Sequence, residues 1–205
     1  MVPKDQASRE VEDTMAGRVA QAGAPGYHAV RFYESDRSLA AIVANFLGEG
    51  IADGQPAIVV ATAAQRAAIV RALVAKDFDV VHLKRSNNLL LVDAERTLDM
   101  FMTNGEVDAV RFRDVMCGIL TEVCRDRPNC TVRIYGQMVD VLWKDGQQEA
   151  AVRLEMLWNQ LGTSERFSLL CGYAMGHFFK DVAFQKVCAQ HTHIVSADGT
   201  SERVA

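Results

Sequence analysis

Apolar residues along the chain recur in two alternating patterns. Short apolar runs, such as Pro56–Ala61 and Phe167–Cys171, are typical of strands that are covered on both faces of a sheet. Between such runs, apolar residues recur at helical spacing, for example from Leu39 to Leu47 and from Ala150 to Leu161. This alternation predicts an α/β fold with a mostly parallel central sheet and helices on both faces.

The individual elements follow from the same patterns. Strands are predicted at Val30–Tyr33, Pro56–Ala61, Val80–Leu83, Leu89–Val92, Thr131–Tyr135 and Phe167–Cys171. Helices are predicted over Leu39–Leu47, from Thr62 to about Lys76, after Asp93, from about Asp108, and over Met138–Trp143, Ala150–Leu161 and Asp181–Cys188. Asn87 and Asn88 are read as the turn between two short strands.

The chain of 205 residues, 49% of them apolar and 23% charged, suffices for a single core. Residues 1–25 are expected to form a flexible arm, with a short helix around Val11–Ala20. Residues 26–195 are expected to form the domain and residues 196–205 a polar tail.

Charge and hydropathy exclude several classes of protein. The net charge of −4 and the pI near 5.7 leave no basic stripe for direct binding to nucleic acid. No apolar run reaches the roughly 20 residues that span a bilayer, and no signal peptide is recognisable, so we expect a cytoplasmic protein. The cysteines number five and lack a CxxC pair, and Cys117, Cys124 and Cys171 stand in apolar settings. Reduced thiols are therefore expected rather than disulfides.

The first strand-to-helix junction lacks a phosphate loop. Such a loop needs closely spaced glycines, a Lys and a Ser or Thr. This junction instead has Tyr33, Glu34 and Asp36, and the carboxylates of Glu34 and Asp36 would repel a triphosphate.

Ligands of open α/β sheets bind beyond the carboxyl ends of the strands. Applied to this chain, that rule gives the candidate ligand-binding residues Tyr33, Glu34, Ser35, Thr62, Tyr135, Gln137 and Tyr173. Glu155, at the margin of the buried face of a predicted helix, is added as a further candidate. The alternative is structural: the tyrosines at the edge of the core, Glu34 or Ser35 capping a helix, and Glu155 paired with Arg133.

Metal and catalytic signals are weak. Cys188, His191 and His193 form a partial zinc pattern without a fourth ligand, and ordinary histidines at a helix end explain it more simply. No GxSxG elbow is present. We expect no enzyme activity, no metal and no cofactor.

Several separated motifs carry a family likeness. They are His28-x-Val30-x-Phe32-Tyr33-Glu34-Ser35, Arg133–Val139, Leu142-Trp143, Leu154-Glu155-x-x-Trp158-Asn159 and Phe167-Ser168-Leu169-Leu170-Cys171-x-Tyr173. The chain thereby resembles the MEDS domain (methanogen/methylotroph, DcmR sensory domain) over roughly residues 26 to 195. The resemblance implies a RecA/KaiC-like three-layer sandwich without nucleotide machinery, which senses small organic compounds. The family usually has Glu in the Tyr-Gly-Glu-Met motif where this chain has Gln137.

The resemblance leads to a functional hypothesis. We expect a stand-alone bacterial sensory domain that binds a small organic molecule and signals to a separate histidine kinase or transcription regulator. The alternative is a docking module of a signalling system with a vestigial pocket, and a third reading is a nucleotide-binding RecA/KaiC-like protein. A homodimer is expected by analogy with related folds.

Overall fold

The computed structural model describes residues 24–177 and 182–204. Apart from its last two residues, the expected N-terminal arm, with the helix around Val11–Ala20, lies outside the described residues. Within the described ranges, none of the helices has both the length and the hydrophobicity that crossing a membrane requires.

Helices and strands alternate as the sequence predicts. The strands are β1 (His28–Tyr33), β2 (Ala57–Ala61), β3 (Leu89–Asp93), β4 (Met102–Thr103), β5 (Glu106–Val107), β6 (Val132–Gly136), β7 (Phe167–Ala174), β8 (His193–Val195) and β9 (Ser201–Arg203). The helices are α1 (Asp36–Ala52), α2 (Ala63–Val74), α3 (Val80–Arg85), α4 (Ala94–Phe101), α5 (Ala109–Val123), α6 (Met138–Lys144), α7 (Gln148–Leu161) and α8 (Val182–Cys188).

A seven-stranded sheet organises the domain, in the order β3-β2-β6-β7-β1-β8-β9. All neighbours pair in parallel except β8 and β9, which are antiparallel. The predicted mostly parallel sheet is confirmed.

The sheet separates two hydrophobic clusters, because successive side chains of a strand point to opposite faces. On one face α1, α2 and α3 cover residues such as Ala29, Val59 and Leu170. On the other face α4 to α8 cover residues such as Val30 and Ile134. The result is a three-layer sandwich.

Short polar side chains start most of the helices. Ser35, Thr62, Asp93 and Asp108 each accept a hydrogen bond from a backbone N–H of the first turn of α1, α2, α4 and α5. Such caps satisfy amide groups that have no partner within the helix. Four strand-to-helix junctions are thus determined locally.

One local prediction is wrong, and one small hairpin was not predicted. The predicted strand Val80–Leu83 is the short helix α3, because Asp79 caps it by accepting from His82 N. Its Val80 and Leu83, three residues apart, bury one helical face. The structure also has a small hairpin, β4–β5, that we did not predict. Asn104 and Gly105 form its two-residue turn with positive φ angles of 53° and 81°, the conformation that tight hairpins require.

The end of the chain and one cysteine pair also differ from expectation. The expected polar tail contains β9, whose residues pair with β8 at the edge of the sheet. Cys124 and Cys130 form a disulfide across the turn that follows α5, with Cα atoms 5.7 Å apart. The expectation of reduced thiols is therefore wrong for this pair, because the turn brings the two residues within bridging distance. Cys117, Cys171 and Cys188 are free.

Aromatic packing under α5 generates a stability prediction. Phe112 is 1% exposed, and its ring meets those of Phe101 and Trp158 edge-on at 5.3 and 5.2 Å. We expect Phe112→Ala to lower the free energy of unfolding by about 3–5 kcal/mol, because it leaves a cavity. Val110→Ala, at a site 70% exposed on the same helix, should change it by less than about 0.5 kcal/mol. Urea denaturation measures both, and equal effects would contradict the assignment of this face to the core.

Candidate functional site

The candidate site lies where the connections of the sheet diverge. From β2 the chain leads to β3 on one side, and from β6 it leads to β7 on the other. The carboxyl ends of β2 and β6 therefore flank a topological switch point, the place where open α/β sheets bind ligands. Thr62 directly follows β2 and Gln137 directly follows β6. The backbone N–H and the hydroxyl of Thr62 both donate to Gln137 Oε1, at 3.0 and 3.2 Å.

A second set of polar contacts continues from this point across β1 and β7. The Tyr33 hydroxyl donates to Asp140 Oδ2 at 2.8 Å, and the backbone N–H of Ala174 donates to Asp140 Oδ1 at 2.9 Å. Lys144 Nζ lies 2.7 Å from Asp140 Oδ2. Asp140 is 1% exposed, so these donors replace the water that its carboxylate would otherwise bind.

The electrostatics of Tyr33 reflect this arrangement. Burial, followed by the charge of Asp140, raises the pKa of Tyr33 above its ordinary value, whereas a hydrogen bond with Gln137 opposes the rise. Tyr33 is thus a neutral hydrogen-bond donor that links Gln137 and Asp140. We call Tyr33, Thr62, Gln137 and Asp140 the carboxyl-end network.

A pocket of about 560 Å³ opens beside this network. We call it the switch-point pocket; its polar lining includes Asp36, Thr62, Gln65, Asp99, Gln137 and Lys144. Glu95 and Asp145 also line it, so carboxylates outnumber the ammonium of Lys144 in the lining described. That ammonium is already close to Asp140. The pocket therefore favours neutral or cationic groups over anions.

Gln65 is notable within the pocket lining. It is 2% exposed, and its side-chain Nε2 has no hydrogen-bond partner among the described residues. A buried donor without an acceptor costs free energy of roughly 1–3 kcal/mol. Because Gln65 also lines the pocket, an acceptor on a bound molecule would satisfy this donor once the amide turns to face it.

The N-terminus of α1 is occupied by its own side chains. Ser35 caps the helix by accepting from Ser38 N, and Asp36 places a carboxylate in the first turn. Glu34 and Ser35 are exposed, and they line a separate groove with Arg31. The predicted site residues Glu34 and Ser35 are thus on a different surface from Thr62 and Gln137.

Tyr135 is fully buried, and burial raises the pKa of its hydroxyl well above the ordinary value. Its hydroxyl has no hydrogen-bond partner among the described residues. The ring fits because Gly172 has no side chain: a Cβ there would lie 2.8 Å from the Tyr135 hydroxyl. Tyr135 thus packs in the core under α1 rather than lining the switch-point pocket.

Glu155 and Tyr173 belong to a buried polar cluster beneath α7, which we call the Glu155 cluster. Its members are Glu155, His28, Cys171 and His191, with Tyr173 donating to Glu155 Oε1 at 2.9 Å. Glu155 is 0% exposed. Burial alone raises the pKa of its carboxyl, but His191 and His28 outweigh burial and hold that pKa well below its usual range.

The structure does not pair Glu155 with Arg133. The Arg133 guanidinium lies on the opposite face, where it donates to Phe46 O and contacts Glu49 at 3.4 Å. The alternative ion pair is therefore wrong, because Glu155 and Arg133 are separated by the sheet.

The structure does not bring together Cys188, His191 and His193, the metal-binding set that the sequence suggested. His191 lies in the Glu155 cluster, whereas the His193 ring stacks on Tyr27 with centroids 4.7 Å apart. Cys188 is a partly buried free thiol.

Sequence reasoning missed several residues that the structure brings to these sites, among them Asp140, Gln65, His28 and Cys171. Asp140 is a carboxylate within the otherwise apolar segment from Met138 to Trp143, a signal of burial that was available. Gln65 and His28 carried no such signal, because their neighbours are distant in sequence.

The fold is similar to that of solved KaiC-like proteins. A KaiC-like protein from the hyperthermophilic archaeon Pyrococcus horikoshii OT3 superposes with a TM-score of 0.57 at 10% identity, over 86% of this chain and 80% of that chain. The flagellar accessory protein FlaH from Methanocaldococcus jannaschii gives 0.52 at 9% identity, over 89% and 75%. These likenesses define the class: a RecA/KaiC-like α/β sandwich.

Residues 27–192 match the family model "MEthanogen/methylotroph, DcmR Sensory domain". The chain belongs to this MEDS family of sensory domains, as its motifs indicated. No curated protein matches the chain.

The Tyr33–Asp140 contact generates a second prediction. Tyr33→Phe removes the donor of a buried carboxylate, so we expect the free energy of unfolding to fall by about 1.5–3 kcal/mol. Tyr27→Phe is the matched control, because Tyr27 is the buried tyrosine preceding β1 and its hydroxyl bonds a neutral Ser201 hydroxyl at 2.8 Å. Its loss should be smaller, about 0.5–1.5 kcal/mol. Urea denaturation distinguishes them, and a larger loss for Tyr27→Phe would contradict the role assigned to Asp140.

Proposed function

We propose that this protein is a cytoplasmic sensor that binds a small neutral or cationic organic molecule in the switch-point pocket and signals to a separate regulatory protein. The observation that carries the proposal is the juxtaposition of Thr62, Gln137 and the orphan amide of Gln65 at the switch point of a sensory-domain fold. The carboxylate-rich lining argues for an uncharged or cationic ligand.

Gln137 supports this reading despite the departure from the usual family Glu. Its Oε1 accepts both hydrogen bonds from Thr62, which is what a carboxylate oxygen would do at this position. The amide therefore retains the geometry between β2 and β6 without adding a further negative charge. We infer that this member binds a ligand of different charge from that bound by relatives with Glu.

The size of the pocket favours a metabolite over a one-carbon compound. The best very small ligands gain about 1.5 kcal/mol per heavy atom, so a three-atom compound reaches about 4.5 kcal/mol. Moving a two-state equilibrium from one state to the other requires about 5.5 kcal/mol of differential affinity. A volume of about 560 Å³ lies within the range of pockets for larger molecules.

Signal transmission would start from the carboxyl-end network. Tyr33, Asp140 and the backbone of Ala174 connect β1, α6 and β7, and Gln137 lies between them and the pocket. A ligand that draws Gln137 or Lys144 towards itself would alter the contacts of Asp140. The partner, a histidine kinase or transcription regulator, would respond to the resulting shift of α6, with a homodimer as the signalling unit.

A thermal-shift screen tests ligand binding. We expect neutral or cationic metabolites from a broad panel to raise the melting temperature in a concentration-dependent manner, since a ligand of the folded state stabilises by mass action. ATP with Mg²⁺ and dichloromethane serve as the polyphosphate and one-carbon arms, and neither should produce a shift at micromolar concentration. Stabilisation by ATP alone would instead support the nucleotide-binding reading. Silence across the panel, together with capture of a regulator, would support the docking module.

Gln65 provides a sharper test, because stability and binding should change in opposite directions. We expect Gln65→Leu to stabilise the free protein by about 1 kcal/mol, since it removes a buried donor without an acceptor. The same change should weaken binding of a screened metabolite by about two- to tenfold, the value of one hydrogen bond.

Gln185→Leu, on the exposed face of α8, is the matched control for Gln65→Leu. It should alter the free energy of unfolding by less than about 0.5 kcal/mol and leave binding unchanged. Urea denaturation and titration calorimetry measure the two quantities. Unchanged affinity in Gln65→Leu would remove Gln65 from the proposed binding site.

A further inference from the structure

The Glu155 cluster combines four potential metal ligands that come from separate parts of the chain. His28 begins β1, Glu155 lies in α7, Cys171 lies in β7, and His191 follows α8. One potential ligand atom from each residue lies within 4.8 Å of all the others, and all four residues are buried. These four residues take no part in the function proposed for the switch-point pocket.

The distances within this cluster suit a tetrahedral ion. His28 Nε2 lies 3.1 Å and Cys171 Sγ 3.4 Å from Glu155 Oε2, Cys171 Sγ lies 3.5 Å from His28 Nε2, and His191 Nε2 lies 3.4 Å from Glu155 Oε1. Ligands about 2.1 Å from a tetrahedral ion are about 3.4 Å from one another. The remaining pairs of ligand atoms lie within 4.8 Å of one another, so binding an ion at the centre requires them to draw together by up to about 1.4 Å.

The outer hydrogen bonds direct the lone pairs of both imidazoles towards that centre. His191 Nδ1 lies 2.7 Å from the carbonyl oxygen of Val187, which can only accept, so Nδ1 carries the proton. Asn159 Nδ2 donates to Gln190 O, which leaves Asn159 Oδ1 as the acceptor for His28 Nδ1 at 2.8 Å. Metal-bound histidines characteristically have such partners on the second nitrogen.

The inner contacts turn both imidazoles towards one carboxylate. His28 Nε2 lies 3.1 Å from Glu155 Oε2 and His191 Nε2 lies 3.4 Å from Glu155 Oε1, and the described residues give His191 Nε2 no hydrogen bond. A cation at the centre would bind the nitrogen and oxygen atoms that face one another here.

We propose that His28 Nε2, Glu155, Cys171 Sγ and His191 Nε2 bind one divalent transition-metal ion, with Zn²⁺ as the best match. Two nitrogens, one sulfur and one oxygen in a tetrahedral array are typical of zinc. Binding releases the Cys171 thiol proton to solvent. The thiolate, the carboxylate and the dication then sum to zero charge, which suits a fully buried site. Tyr173 orients the carboxylate from outside.

Metal loading during refolding tests this proposal, because the ligands are buried. The full chain is refolded with Zn²⁺ or Co²⁺, desalted and analysed by mass spectrometry for metal content. We expect one ion per chain and, with Co²⁺, a thiolate-to-cobalt charge-transfer band. Absence of bound metal in the wild-type protein would overturn the proposal.

Variants identify the ligands. Cys171→Ser should abolish the charge-transfer band, whereas Cys188→Ser, a second free cysteine, should retain it. Loss of the band in Cys188→Ser alone would overturn the proposal in favour of the Cys188, His191 and His193 set.

Asn159→Ala should weaken metal affinity by about 10- to 100-fold, as expected for a partner of a metal-bound histidine. Circular dichroism checks whether each variant folds. If Cys171→Ser does not fold, the other two free cysteines identify the ligand by elimination, because Cys124 and Cys130 are bridged. Retention of the band in both Cys188→Ser and Cys117→Ser then assigns the thiolate to Cys171.

Discussion

The arrangement of residues at the carboxyl ends of the strands depends on one constraint, the buried carboxylate of Asp140. A charge that is removed from water must have its hydrogen bonds replaced, and Asp140 obtains them from Tyr33 of β1, Ala174 of β7 and Lys144 of its own helix. Those contacts determine where α6 begins over the sheet. The position of α6 in turn places Gln137 beside Thr62 and opens the pocket between them.

The Glu155 cluster contains a second buried carboxylate, and a different set of residues replaces the water around it. Glu155 is enclosed by two imidazoles, a thiol and the hydroxyl of Tyr173, all of which come from distant segments. Both carboxylates lie on the α4–α8 side or edge of the sheet, and both contact β7. This strand, through Ala174 and Cys171, therefore connects the two polar sites.

The relation between fold and function is informative here. The fold is similar to that of a KaiC-like protein, yet the helix N-terminus after β1 is capped by Ser35 and carries Asp36. Function resides in the residues placed on a fold rather than in the fold itself. In this chain those residues favour neutral or cationic groups at the switch point, and beneath α7 they supply nitrogen, sulfur and oxygen atoms to one buried cluster.

The sequence by itself determined most of the alternating helices and strands, the mostly parallel sheet and most helix starts, because periodicity and capping are local properties. It also brought Thr62 and Gln137 to the same edge of the sheet, since residues that follow parallel strands share one edge. Val80–Leu83 was misassigned to a strand because β-branched residues favour strands, whereas the cap at Asp79 starts a helix there. Only the tertiary structure decided that Glu155 contacts His28 and His191 rather than Arg133. The physical reason is that burial and pairing of charges depend on which side of the sheet a helix packs, and no local pattern specifies that side.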